Sequence, residues 1–174
     1  SSLRAKALAA RDKGAAGERQ DASGPAVCEA LAGFDGHKVV EQRLIPDDKA
    51  TIEATLIELC DERLADLVVT TGGTGLSPRD VTPEATMAVA TRLVPGMAEA
   101  IRQAGLAFTP HAMLSRAVVA QRNKSLILNL SGSPKAVREQ LAVVLPVLTH
   151  ALATASGVPQ ECARMRVAED GETR

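Results

Sequence analysis

The sequence predicts an α/β fold with three layers, α/β/α, built on a mostly parallel central sheet with one antiparallel hairpin element. The first observation behind this is that strand-like and helix-like segments alternate along the chain. That order implies right-handed crossovers and a parallel sheet covered by helices on both faces. The second is a single pair of strand-like segments joined by a short polar turn. The third is size: 174 residues, 45% apolar and 24% charged, suit one domain that buries roughly 70% of its unfolded surface. The domain is expected over residues 1–157, followed by a loose polar tail over 158–174.

Leu3–Ala10 is read as the first strand from its place ahead of a loop and a helix, since its alanines are weak strand formers. A Gly-rich, charged loop over 11–22 leads to Ser23-Gly24-Pro25, an N-cap candidate and a proline suited to a first helical turn ahead of Val27–Leu31. His37–Ile45 is the second strand. Pro46-Asp47-Asp48 interrupts it and opens a helix to about Arg63, with Ile52, Leu56 and Leu59 on its buried stripe. Asp66–Thr70 is a short β-branched run with the look of a buried central strand. Two helices come next over Pro83–Arg92 and Gly96–Gly105, then a hairpin of Ala117–Gln121 and Ser125–Asn129 about Arg122-Asn123-Lys124. Ser133-Pro134 starts a last long helix with Val137, Leu141, Val144, Leu148 and Leu152 on its apolar face, and Pro146 is expected to kink or shorten it.

Composition excludes several functions. A formal net charge of -1 provides no general field for a polyanion, and Phe34 and Phe108 are too few aromatics for a base-stacking platform, so no nucleic-acid partner is expected. Cys28, Cys60 and Cys162 are odd in number and far apart, which points to reduced thiols and a cytoplasmic location. Cys28 and Cys60 read as core residues. No stretch approaches the roughly 20 apolar residues of a membrane span, and the N-terminus lacks a signal-peptide pattern. His37, His111 and His150 have no metal-ligand spacing, and no nucleophile elbow is present.

The chemistry is concentrated in loops that succeed strands. In an open α/β sheet such loops share the carboxyl rim, where ligands bind. Segments 11–22, 46–48, 70–80 and 130–135 should therefore converge. In Thr70-Thr71-Gly72-Gly73-Thr74-Gly75 the glycines let backbone N–H groups approach an anion and the threonine hydroxyls can donate to phosphate oxygens. The pattern is neither a P-loop nor the dinucleotide fingerprint, and taken alone it is a weak signal, with a tight structural turn the lesser alternative. Asp80 lies beside it and can hold Mg²⁺ with phosphate oxygens, Asp47 or Asp48 completing the set; Asp48 reads better as a helix cap, which leaves Asp47 for function. Glu84 reads as a first-turn helix residue opposing the macrodipole. Ser131-Gly132-Ser133-Pro134-Lys135 offers N–H groups, a hydroxyl and an ammonium, a second anion seat or an ordinary cap with a solvated lysine. Two anion cradles with several carboxylates suit phosphoryl or nucleotidyl transfer.

Taken together, Ile45-Pro46-Asp47-Asp48, Thr70–Gly75, Arg79-Asp80-Val81-Thr82-Pro83-Glu84-Ala85-Thr86, Leu114-Ser115-Arg116 and Gly132-Ser133-Pro134-Lys135 resemble the molybdopterin-binding family of molybdopterin adenylyltransferases and the gephyrin domain. The likeness runs from about Asp12 to about Gly157, and residues 12–24 are similar to the family's first loop. The resemblance implies molybdenum cofactor biosynthesis: Mg²⁺-dependent transfer of AMP from ATP to molybdopterin, with release of pyrophosphate. It implies catalytic and metal-binding roles for Asp47 and Asp80. It places Thr71, Gly72, Gly73, Thr74, Gly75 and Ser115 on the pterin-phosphate side, and Gly132, Ser133 and Lys135 in a second binding loop. Asp12, Gly17, Glu18 and Asp21 fall on the nucleotide side. The resemblance also implies a homo-oligomer, a homotrimer as in most of the family or a hexamer as in some related members, and allows a molybdate-insertion enzyme as partner. One departure is Arg11, where the family usually has a small hydroxyl residue, and it motivates an alternative: a non-catalytic molybdopterin-binding or scaffold protein of the same fold.

Overall fold

The strands and helices read from the sequence form regular elements in the computed structural model, which describes residues 3–10, 22–32 and 37–157. In chain order these and their neighbours are β1 (Leu3–Ala10), α1 (Ser23–Ala32), β2 (His37–Ile45), α2 (Lys49–Ile57), β3 (Leu67–Thr71), α3 (Thr82–Val89), β4 (Arg92–Leu93), α4 (Pro95–Gly105), β5 (Val119–Arg122), β6 (Ser125–Leu130) and α5 (Pro134–Ala155). The expected tail over 158–174, the first loop with Asp12, Gly17, Glu18 and Asp21, and Arg11 lie outside the described residues.

The six strands form one sheet in the order β2-β1-β3-β6-β5-β4. β1 pairs in parallel with β2 and β3, and β3 with β6. The hairpin is β5 with β6, antiparallel in register Arg122↔Ser125, and Asn123 takes the left-handed backbone (φ 50°) that the tight turn needs. Strand alternation sends side chains to two separate cores. On one face Leu67 and Val69 of β3 and Leu126, Leu128 and Leu130 of β6 pack against α1, α4 and α5. On the other, Val68 and Ile127 pack against α2 and α3 through Ile52, Leu56, Ala85 and Val89. The three-layer architecture is therefore as expected.

Several helix boundaries depart from the sequence reading. The expected helix to Arg63 is α2 continued by a π-helical turn over Glu58–Glu62, where Leu59 and Cys60 are buried. Asp48 caps α2 as expected, accepting from the Thr51 N–H at 2.9 Å and its hydroxyl at 2.7 Å. The helix expected to reach Arg92 stops at Val89, because Arg92 and Leu93 pair with Gln121 and Ala120 as the edge strand β4. A 3₁₀ turn over Pro110–Leu114 was not anticipated. Pro146 does not shorten the last helix, which runs through it to Ala155. Both Pro146 and Ala142, whose carbonyl loses its helical donor, are exposed, so water can serve that oxygen. By length and composition α5 also passes for a membrane span, contrary to expectation, yet its apolar stripe of Val137, Leu141, Val144, Leu148 and Leu152 is buried in the core.

Candidate active site at the carboxyl rim of the sheet

Because β1, β2, β3 and β6 run the same way, their carboxyl ends lie on one rim, and the chain leaves β1 toward β2 on one side while β3 flanks it on the other. That reversal opens the crevice where such sheets bind ligands. The Gly-rich turn starts there. The Gly72 N–H continues the ladder to Leu130 O at 3.0 Å, and Gly72 and Gly73 both adopt left-handed backbone (φ 87° and 67°), which L side chains rarely tolerate. The Gly73 carbonyl then accepts from the Thr82 N–H at 3.2 Å, which closes the turn onto the first residue of α3.

The turn is packed too closely for side chains, and what crowds it are residues singled out from the sequence. A Cβ at Gly73 would stand 2.3 Å from Thr82 Oγ1 and 3.5 Å from Asp47 Oδ1. A Cβ at Gly75 would stand 2.8 Å from Asp80 Oδ2, and one at Gly132 would stand 3.4 Å from the Gly72 Cα. Asp47, Gly72, Gly73, Gly75, Asp80 and Gly132, far apart in sequence, thus meet around one turn. Asp80 is oriented by its own loop: its Oδ2 accepts the Ser77 N–H at 3.0 Å, and its N–H returns to Ser77 O at 2.9 Å. Thr71, at the end of β3, has its hydroxyl 3.0 Å from that of Ser23 at the start of α1.

Beside the turn opens a cavity of about 560 Å³ between α4, the 3₁₀ turn and the start of α5. Thr74, Gly75, Ser115 and Ser133 line it, as does Ser131, and its remaining wall is largely apolar, with Leu76, Ile101, Phe108 and Val143. A pocket with apolar walls and a few hydroxyls fits a small organic ligand that carries polar groups. Lys135 is not part of it: its side chain is 83% exposed and its ammonium lies 3.9 Å from Glu139. The expected ammonium of the second anion seat is therefore a solvated group beside Glu139, which does line the cavity. Ser133 caps α5 by accepting from the Ala136 N–H at 3.2 Å.

Three residues important to this geometry went unassigned in the sequence reading. Arg116 is the first. Its N–H donates to Thr74 O at 2.9 Å, Nε to Gly75 O at 2.7 Å, Nη2 to Asp80 O at 2.7 Å, and Nη1 to the Glu84 carboxylate. Burial pushes the Glu84 carboxyl up, but the Arg116 hydrogen bond and charge outweigh it and leave the group below its ordinary value. Asn129, fully buried, is the second: its Nδ2 donates to Thr70 Oγ1 at 2.9 Å and Thr86 Oγ1 at 3.0 Å while its Oδ1 accepts the Val118 N–H at 3.2 Å. A lone amide inside Leu126-Ile127-Leu128-Asn129-Leu130 was the available signal, because a buried amide requires partners. Third, Gln140 brackets the second loop, accepting the Ser131 N–H at 2.9 Å and donating to its hydroxyl at 2.9 Å.

Comparison with known proteins identifies the family and the fold. A family model described as a probable molybdopterin binding domain matches residues 6–150. The chain is 49% identical over 140 residues to a molybdopterin adenylyltransferase of Escherichia coli, covering 80% of this chain and 72% of that protein. It is 43% identical over 144 residues to the molybdopterin adenylyltransferase of Helicobacter pylori, covering 82% of each. Among solved structures, the molybdopterin biosynthesis enzyme MoaB of Thermus thermophilus superposes with a TM-score of 0.83 at 48% identity, covering 91% of this chain and 99% of that one.

Proposed function

The chain belongs to the molybdopterin-binding domain family, and from that membership we propose that it is a molybdopterin adenylyltransferase of molybdenum cofactor biosynthesis. In this reading a phosphate oxygen of molybdopterin attacks the α-phosphorus of ATP. A new phosphoanhydride bond forms, the bond from the α-phosphorus to the bridging oxygen breaks, and pyrophosphate leaves with that electron pair. The observation that carries the proposal is the placement of two carboxylates, Asp47 and Asp80, against the same short turn of Gly73 and Gly75. Transfer between phosphates demands positioning and charge stabilisation more than covalent help, and the rim offers both.

Each part of the rim then has a task. The amides and hydroxyls of residues 71–75 and Ser115 receive the pterin's phosphate, the apolar wall of the cavity holds its ring, and Gly132 and Ser133 close the other side. Asp12, Gly17, Glu18 and Asp21 remain assigned to the nucleotide by resemblance. Asp47 and Asp80 fit Mg²⁺, which takes one or two carboxylates and fills its shell with phosphate oxygens and water. Among the described residues no group of three or more His, Cys, Asp or Glu could hold a metal, so the substrates would supply the remaining oxygens. When bound, the ion would offset phosphate charge. Asp80 is suited to holding a fixed direction toward it, since one of its oxygens is tied to the Ser77 amide.

The test is to mix the purified protein with ATP, Mg²⁺ and molybdopterin and to follow pyrophosphate. Release that depends on molybdopterin is expected; none, with molybdopterin demonstrably bound, would leave the non-catalytic binding reading that Arg11 motivates. In that case Arg11→Ser should restore turnover.

A further inference from the structure

Arg102 is the one permanent cation among the described residues that line the 560 Å³ cavity, and its charge has no acidic partner there. It projects from the last turn of α4, and Nη1 donates to Ala117 O at 2.7 Å and, at 3.5 Å, to Ser115 O. Those bonds fix the guanidinium against the strip that carries Ser115. They use one of its three nitrogens, and no hydrogen bond or ion pair of Nε or Nη2 occurs among the described residues. Glu139, the acid that also lines the cavity, faces the Lys135 ammonium at 3.9 Å instead.

A half-buried guanidinium in a largely apolar cavity is stabilised when an anion enters, because such a charge gives up water and gains no carboxylate in return. The hydroxyls of Thr74, Ser115, Ser131 and Ser133 line the same cavity and can donate to the same anion. The backbone links them closely: the Arg116 N–H binds Thr74 O, one residue from the Ser115 carbonyl that Arg102 reaches. Arg102 and Thr74 therefore hold opposite edges of the same trans peptide unit, the one that joins Ser115 to Arg116, so the guanidinium and the end of the Gly-rich turn flank one strip of the cavity wall.

We propose that Arg102 is a substrate-binding and specificity-determining residue, whose guanidinium pairs with the phosphate of the pterin and so selects phosphorylated over unphosphorylated pterin. The inference rests on the adenylyltransferase reading for the identity of the ligand. A fork of donors held by backbone carbonyls suits a phosphate better than a flexible ammonium does, which predicts that lysine at this position is a poor substitute.

Binding rather than turnover tests it. Affinities of the wild type, Arg102→Gln and Arg102→Lys are measured for molybdopterin and for molybdopterin freed of its phosphate by a phosphatase. Glutamine keeps an N–H donor for the Ala117 carbonyl and removes the charge. The expected result is that Arg102→Gln weakens molybdopterin binding by about tenfold or more, leaves the dephosphorylated ligand within about twofold, and flattens the salt dependence seen in the wild type. Arg102→Lys should fall between the two. Equal losses for both ligands, or no loss for either, would overturn the proposal and leave Arg102 as a carbonyl clasp. Should the glutamine variant fail to fold, the lysine variant is judged by the same ratio of ligands. A wild type that binds neither ligand would overturn the functional reading, a result distinct from one in which it binds both equally and Arg102 alone is refuted.

Discussion

Asp80, against Gly75, and Gly73, against Thr82, belong to the same turn at the rim and respond to substitution in opposite ways. Asp80→Asn keeps an oxygen that can accept the Ser77 N–H, so the turn survives while the charge is lost. If Asp80 acts as one preorganised electrostatic group, pyrophosphate release should fall by about a hundredfold or more, about 3 kcal/mol, with the melting temperature nearly unchanged. An equal loss of melting temperature would make Asp80 a structural residue. Gly73→Ala should instead unsettle the fold, since alanine must adopt φ 67° and place its Cβ 2.3 Å from Thr82 Oγ1. A cost of about 1–3 kcal/mol is expected by chemical denaturation. The double variant Gly73→Ala, Thr82→Ala should recover part of it, because the clash goes and the backbone strain stays. The sequence identified these glycines by their company, a threonine-rich run after a β-branched strand. It could not show that Thr82 and Asp47 press on Gly73, because Thr82 returns from the far end of the same connection and Asp47 comes from the separate one between β2 and α2.

At the scale of elements, the sequence revealed what is written in a local period and missed what depends on a distant partner. β3, β6 and the buried stripe of α5 were legible because a short apolar run between turn residues and the 3.6-residue repeat are local signals. The two-residue strand β4 was not, since Arg92 and Leu93 owe their extended form to Gln121 and Ala120. The π-helical turn at Glu58–Glu62 was also hidden, because its apolar spacing is that of an ordinary helix end. The same distinction explains Arg116. It straps the Gly-rich turn to the loop of Asp80 and to α3 through three groups that only a planar fork reaches at once. Arg116→Ala should therefore lower kcat for pyrophosphate release more than it raises KM for ATP, and Arg116→Lys should recover little of it. Amide hydrogen exchange offers an independent reading: exchange at residues 80 and 82 should quicken in Arg116→Ala while β3 and β6 keep their protection. Unchanged exchange in that loop would end the claim that Arg116 holds it.

For the whole molecule, the sequence anticipated that loops succeeding parallel strands would share a rim, and Asp47, Gly73, Gly75, Asp80 and Gly132 do meet there. The alternation of strand and helix carried that information, whereas the ion pairs that tie elements together have no signature in sequence order. Arg43 of β2 donates Nη1 and Nη2 to Glu58 at 2.8 Å each, beyond α2, and Arg122 of β5 holds Asp61 at 2.7 Å. Hydrogen bonds from Arg43 hold the Glu58 carboxyl at about 2, well below its ordinary 4.5. Asp61 is lowered by its hydrogen bond from Arg122. Glu84 is lowered too, its burial opposing the shift and Arg116 prevailing. These shifts share one sign. As pH falls past about 4.5 the unfolded chain takes up protons that the folded protein still refuses, so stability present above that pH is lost on the way down. The melting temperature should therefore stay level from about pH 7 to about pH 5 and drop below about 4.5, with the Glu58 share disappearing progressively toward pH 2. Because all three pairs are partly exposed, added salt should shrink the drop. Scanning calorimetry against pH is the measurement, and Glu58→Gln should show a shallower acid slope than the wild type. A variant with an unaltered slope would mean that the Arg43 pair contributes nothing to acid sensitivity, and that the carboxylates responsible lie elsewhere in the chain.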